Sequence, residues 1–167
     1  DIQVHFQKDM QAKRCSIFSR RIRSSVHGEN SGSHWQRQKK NWVFVFLNTN
    51  EIAAYSNVVG TAKEQELLRI QNQIKVNKEI QGARWNGGVS SRQLQWLDNL
   101  LKKSEKKNRN VLIFCHHPLY PRSQFTALNN MEILDVINRY NCVKAIFSGH
   151  HHSGAFGYFD HIPCNTV

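Results

Sequence analysis

Five of the nine histidines in this 167-residue chain fall in two short runs, and both runs have the form of a metal-ligand loop. His116 and His117 follow the apolar stretch Val111-Leu112-Ile113-Phe114-Cys115 and precede Pro118. His150, His151 and His152 follow Gly149 at the end of Val143-Lys144-Ala145-Ile146-Phe147-Ser148. Each apolar stretch has strand length and delivers imidazoles at its C-terminal end, where open α/β sheets place their ligand sites. A neutral imidazole offers one ring nitrogen to a metal and donates the other N–H to a carbonyl or carboxylate, which sets its tautomer. Imidazoles at i and i+2 on a tight loop, such as His150 and His152, can face different ions from one short segment. Gly149 is expected to let the backbone turn before the ligands, and Gly154 to let it leave. Any one of these histidines alone would be read as a surface or hydrogen-bonded residue. The joint pattern points to a shared metal site.

Positioning such loops requires strands and the helices that cover them. Trp42-Val43-Phe44-Val45-Phe46-Leu47 is β-branched or aromatic in five of six positions and predicts a strand inside a sheet covered on both sides. The turn residues Asn48-Thr49-Asn50-Glu51 end it, and a short apolar run, Ile52 to Tyr55, follows. From Thr61 to Ile80 the spacing predicts a polar surface helix whose narrow stripe is Leu67, Leu68, Ile70, Ile74 and Ile80. Gly82, Gly87 and Gly88 mark a loop carrying Trp85-Asn86. Ser90-Ser91-Arg92-Gln93 reads as a capping box, opening a helix to about Lys103 with Leu94, Leu97, Leu100 and Leu101 on one face. Another helix is expected over about Asn130 to Tyr140, and further strands over Phe156 to Phe159 and Ile162 to Val167. Strand and helix alternating at these spacings predict an α/β layered domain without internal repeats.

Composition bounds the partners. Net charge is +11, concentrated in residues 1–40, where nine Lys/Arg face Asp1, Asp9 and Glu29; the remaining residues carry fourteen against nine. The chain therefore divides into a poorly defined basic segment over 1–40 and a domain over 41–167. Within the first, Asp1 to Phe6 alternates like a strand, Arg20 to Gln38 reads as loop, and His27 and His34 read as surface histidines. A solvated basic segment explains the charge better than a nucleic-acid surface, since no RNA or DNA motif accompanies it. No apolar stretch approaches the roughly 20 residues needed to span a bilayer, and no signal-peptide pattern opens the chain. Cys15, Cys115, Cys142 and Cys164 form no CxxC pair, so a reducing, cytoplasmic setting is expected.

The two histidine loops resemble motifs of the calcineurin-like metallophosphoesterases. Gly149-His150-His151-His152 resembles their closing GHxH motif, and His116 before Pro118 resembles the single His of the motif before it. Trp85-Asn86-Gly87-Gly88, the Ser90 helix with Gln93-Leu94 and Trp96-Leu97, the run Cys115 to Pro121 and Cys142-Val143-Lys144 are similar to the branch of manganese-dependent ADP-ribose/CDP-alcohol diphosphatases. The similarity runs from about Trp42 onward and is poor over residues 1–40.

The resemblance implies part of a metallophosphoesterase α/β/β/α sandwich without its N-terminal strands. It implies two divalent ions about 3.5–4 Å apart that activate water for in-line attack on a small-molecule phosphodiester or nucleotide-type pyrophosphate. By position, His116 and His150 would ligate one ion and His152 the other. His117 and His151 would stand behind the ligands or face substrate, and Tyr120, Asn86 and Trp85 could stack on or hydrogen-bond a nucleoside, Trp85 being equally readable as packing against the Ser90 helix. Such donors suit Mn, Fe or Zn, and the branch favours Mn. The family's acidic motifs, GDxxD with its bridging Asp and GNH[DE], do not occur in these 167 residues. Asp1-Ile2-Gln3 is read as a remnant of the first motif or Asp1 as the end of a GNHD. Without the bridging carboxylate, three imidazoles hold one ion weakly, so the chain alone is expected to be a poor catalyst. The alternative expectation is a non-catalytic remnant that binds metal or phosphate.

Overall fold

Parallel pairing of three apolar strands organises the molecule, a computed structural model that describes residues 34–167. Asp1 to Phe6, with both readings of Asp1-Ile2-Gln3, Cys15 and His27 lie outside the described residues. The strands are β1 (Trp35–Lys39), β2 (Trp42–Phe46), β3 (Ile52–Ala53), β4 (Gly87–Gly88), β5 (Asn110–Phe114), β6 (Val143–Ser148), β7 (Ala155–Phe159) and β8 (Ile162–Thr166). Among the described residues the helices are α1 (Ala62–Val76), α2 (Ser91–Lys106) and α3 (Asn130–Ile137), with one 3-10 turn at Ala54–Ser56. The main sheet runs β1-β2-β5-β6-β8-β7, and β3 pairs with β4 in a separate ribbon. β2, β5, β6 and β8 are parallel neighbours, while β1 and β7 add antiparallel edges. This is the mixed α/β architecture the strand–helix alternation predicts.

The sheet's two faces differ. Val43, Val45, Val111, Ile113, Ile146 and Cys164 turn one face toward Leu97, Leu100 and Leu101 of α2 and Ile133, Leu134 and Ile137 of α3, forming the core. The other face carries an aromatic row: Trp35 stacks on Phe46 at 3.8 Å, Phe46 on Phe114 at 5.1 Å, and Phe114 on Phe147 at 5.3 Å. These rings are half-buried, so β2 is fully covered on one face only. Offset stacking of this kind contributes about 0.5–1.5 kcal/mol per pair beyond area burial.

Three local expectations are corrected. β1 occupies the end of the stretch read as loop; its Gln, Arg and Lys side chains are exposed, and backbone pairing with β2 defines it. α1 buries Leu67, Ile70 and Ile74 against Ile52 and Leu128, but Leu68 and Ile80 are exposed, so its stripe is narrower. At the start of α2, Ser90 Oγ accepts the Gln93 N–H as a capping box requires. The Gln93 side chain instead bonds the Asn48 backbone, and the Glu51 carboxylate takes the Ser90 N–H and hydroxyl. The β2–β3 turn is thereby clamped to the helix N-terminus.

Candidate metal centre

The C-terminal ends of β2, β5 and β6 lie side by side, so their loops share one crevice edge. Pairing continues past the strands: the Leu47 N–H donates to Phe114 O, the Cys115 N–H to Phe147 O, and the Gly149 N–H to His116 O at 3.0 Å. That last bond ties one histidine loop to the other. His150 itself adopts φ +67°, in the left-handed region that non-glycine residues rarely enter. The sequence places this turn at Gly149. It has no positive φ, and a Cβ there would meet only ordinary contacts, so the turn belongs to His150. Gly154, at φ +69°, does provide the expected exit.

This backbone brings His150 Nδ1 to 3.1 Å from His116 Nε2. Two nitrogens each about 2.1 Å from a shared cation, at about a right angle, lie about 3 Å apart, so the spacing fits one ion. Both imidazoles are also ready as neutral donors. Burial lowers the pKa of His116, helped by the nearby His152. Burial, with His116, His152 and His151 adding to it, lowers that of His150 to about 4.

His117 completes a group of three imidazoles whose ligand atoms lie within 4.8 Å of one another, but its nitrogens are already engaged. The Gly87 N–H donates to His117 Nε2 at 3.1 Å, which leaves the proton on Nδ1 to donate to Thr49 Oγ1 at 2.9 Å. Trp85 O lies farther from Nε2, at 3.3 Å. The His117 backbone N–H also donates to Thr49 Oγ1. The ring is 0% exposed, and burial, reinforced by His116 and His150, lowers its pKa to about 3. His117 is thus a buried neutral pin joining three loops, standing behind the ligand pair.

Asn86, expected to contact substrate, is buried as well. It is 1% exposed, its Nδ2 donates to Gln81 O at 2.8 Å and Gln124 O at 2.7 Å, and its Oδ1 lies 3.1 Å from His150 Nε2. Tyr120 is half-buried beside Phe159, ring centres 5.8 Å apart, and packs against Gly157 at the margin of the core. His151 stacks on Phe125 at 4.6 Å. His152 is exposed on the turn, outside the three-imidazole group yet near enough for its charge to act on His116 and His150. Trp85 is 54% exposed. His34, read as a surface residue, is buried against Trp96.

Thr49 and Gly87 are the site residues that spacing does not reveal. Thr49 lies in an ordinary turn sequence. A Cβ on Gly87 would overlap the Thr49 carbonyl oxygen and press on His117 Cε1, and one on Gly88 would overlap Asn129 Oδ1. Asn129 bonds both the N–H and carbonyl of Val89, leaving no room beside Gly88. The only available signal is the Gly-Gly pair itself.

The family model described as calcineurin-like phosphoesterase matches residues 26–154. The chain belongs to that family. Among curated relatives it is 39% identical over 80 residues to the "Manganese-dependent ADP-ribose/CDP-alcohol diphosphatase" of Oryza sativa subsp. japonica, covering 46% of this chain and 25% of the relative. The Bos taurus protein of the same name is 31% identical over 125 residues, covering 68% and 37%. In structure the chain is similar to a dimetal phosphatase from Danio rerio, with a TM-score of 0.71 at 25% identity over 80% of this chain and 48% of that one. The chain thus spans less than half the length of each of these relatives.

Proposed function

We propose that this chain supplies the histidine side of a dinuclear centre that hydrolyses a nucleotide-type pyrophosphate or related phosphodiester. The observation that carries this reading is the 3.1 Å approach of His116 Nε2 to His150 Nδ1 at the ends of adjacent parallel strands. His116 and His150 would hold one ion and His152 a second, with His151 at the substrate edge. The manganese dependence in the relatives' names favours Mn. Two such ions supply Lewis-acid activation of water and neutralise phosphoryl charge. The chain's own residues fix donor direction, keep both imidazoles unprotonated near neutral pH, and present a strongly basic protein to an anionic substrate. The relatives' names support ADP-ribose or a CDP-alcohol as the substrate. Free Cys115, Cys142 and Cys164 support a reducing, cytoplasmic setting, and among the described residues no helix is long and apolar enough to cross a membrane.

A second reading, metal or phosphate binding without turnover, is favoured by the absence of GDxxD and GNH[DE] from the 167 residues. Titration with Mn²⁺ and an ADP-ribose hydrolysis assay separate the two. In both readings His116→Ala and His152→Ala are expected to weaken Mn²⁺ binding at least about tenfold; unchanged affinity in both defeats both. Turnover by the 167-residue chain that His150→Ala abolishes selects the enzyme. Binding without turnover selects the second reading for this chain alone.

A further inference from the structure

We infer that Asn86 is a positioning residue: its amide oxygen holds the proton of His150 on Nε2, so that Nδ1 faces the metal position as a bare donor. This rests on the metal-centre reading above and assigns Asn86 a role distinct from substrate contact.

The amide's orientation follows from its partners. Asn86 Nδ2 faces two backbone carbonyls, Gln81 O and Gln124 O, at 2.8 and 2.7 Å. Carbonyls only accept, so the NH₂ must point at them and the oxygen must point at His150. The flip ambiguity of an asparagine side chain is thereby removed. An oxygen 3.1 Å from His150 Nε2 requires an N–H on that nitrogen. A neutral imidazole carries one ring proton, so Nδ1 is left with its lone pair directed at His116 Nε2, 3.1 Å away. In the metal-free protein His116 must donate from Nε2 to make that contact, so His116, not His150, changes tautomer when a cation is bound between them. Asn86 is 1% exposed, so water does not compete for the bond. Its two carbonyl ties reach the Gln81 backbone and the 118–126 loop, which couples the placement of both segments to the direction of the donor.

Long-range ¹H–¹⁵N NMR of the histidine rings reads this directly in the full 167-residue chain. His150 in the metal-free wild-type protein is expected as the Nε2–H tautomer; an Nδ1–H tautomer there overturns the inference, whatever any variant does. Asn86→Ala is expected to mix the two tautomers and weaken Mn²⁺ binding about 10- to 100-fold. Asn86→Asp keeps an oxygen toward Nε2 but sets its second oxygen, which cannot donate, against the Gln81 and Gln124 carbonyls; where it folds, the Nε2–H tautomer is expected. A folded Asn86→Ala protein with wild-type tautomer and Mn²⁺ affinity also overturns it. If neither variant folds, the wild-type spectrum decides. If the wild-type chain binds no Mn²⁺, the metal-centre reading fails while the tautomer measurement still judges Asn86.

Discussion

Loop 116–118 and loop 149–152 leave neighbouring parallel strands and each carries consecutive histidines, yet they hold their rings by different means. The first uses bonds from distant segments. Thr49 lies 68 residues before His117 in sequence and Gly87 lies 30 before it, and both close on that ring. The second sets its direction with its own backbone, with His150 in the left-handed region and Gly154 releasing the chain, and takes from outside the two histidine loops the Asn86 bond to His150 Nε2. In consequence adjacent histidines divide the labour: His117 is sealed inside as a pin, while His116 Nε2 and His150 Nδ1 turn toward one point. An exposed ligand loop can be shaped locally, but a buried imidazole must have every nitrogen satisfied from elsewhere.

The contrast breaks if His117 can be removed cheaply. His117→Leu leaves the buried Gly87 N–H without its acceptor and Thr49 Oγ1 without one donor, at about 1–3 kcal/mol for each group left dry. A loss of at least about 2 kcal/mol is expected by urea denaturation; wild-type stability would refute the pin. A pH series sharpens the same point. The folded-state pKa of His117, about 3, lies below the ordinary 6.5, so the unfolded chain takes a proton that the folded protein refuses. Its contribution to stability is therefore complete above pH 6.5 and is lost as pH falls toward 3, by up to about 1.4 kcal/mol per pH unit. In His117→Leu the acid limb should be shallower by nearly one proton; an unchanged slope would mean that His117 is not held neutral. The smallest effect is expected at the other loop. His150→Gly relieves a left-handed backbone worth about 1–2 kcal/mol while forfeiting ring contacts, so stability should stay within about 1 kcal/mol of wild type. Mn²⁺ affinity should nevertheless fall at least about tenfold. A large destabilisation by His150→Gly would show that both loops depend on their rings.

What could be read from the sequence follows the range of the interactions. β2, β5 and β6 are legible because continuous apolar runs need only local composition, and α2 because its leucines repeat at helical spacing. β1 is illegible because Gln36, Arg37 and Gln38 are exposed and only pairing with β2 makes them a strand. At the site, the His116 and His150 pair is legible from two similar strand ends. The fate of His117 is not, since nothing near it in sequence announces Thr49 or Gly87. Asn86 is legible as important and mistaken in direction: its polar side chain points inward to a histidine rather than outward to a ligand.

Gly87 and Gly88 carry a consequence for reading variation at this site. A single methyl at either position collides with the Thr49 carbonyl or the Asn129 amide, and neither glycine needs to touch metal or substrate for that to matter. A saturation library scored for folded protein would find both positions as intolerant as any ligand, for want of volume. Intolerance confined to assays of metal loading would instead mark His116 and His150. The two kinds of constraint, steric and chemical, meet within a few ångströms here, and only the choice of assay tells them apart.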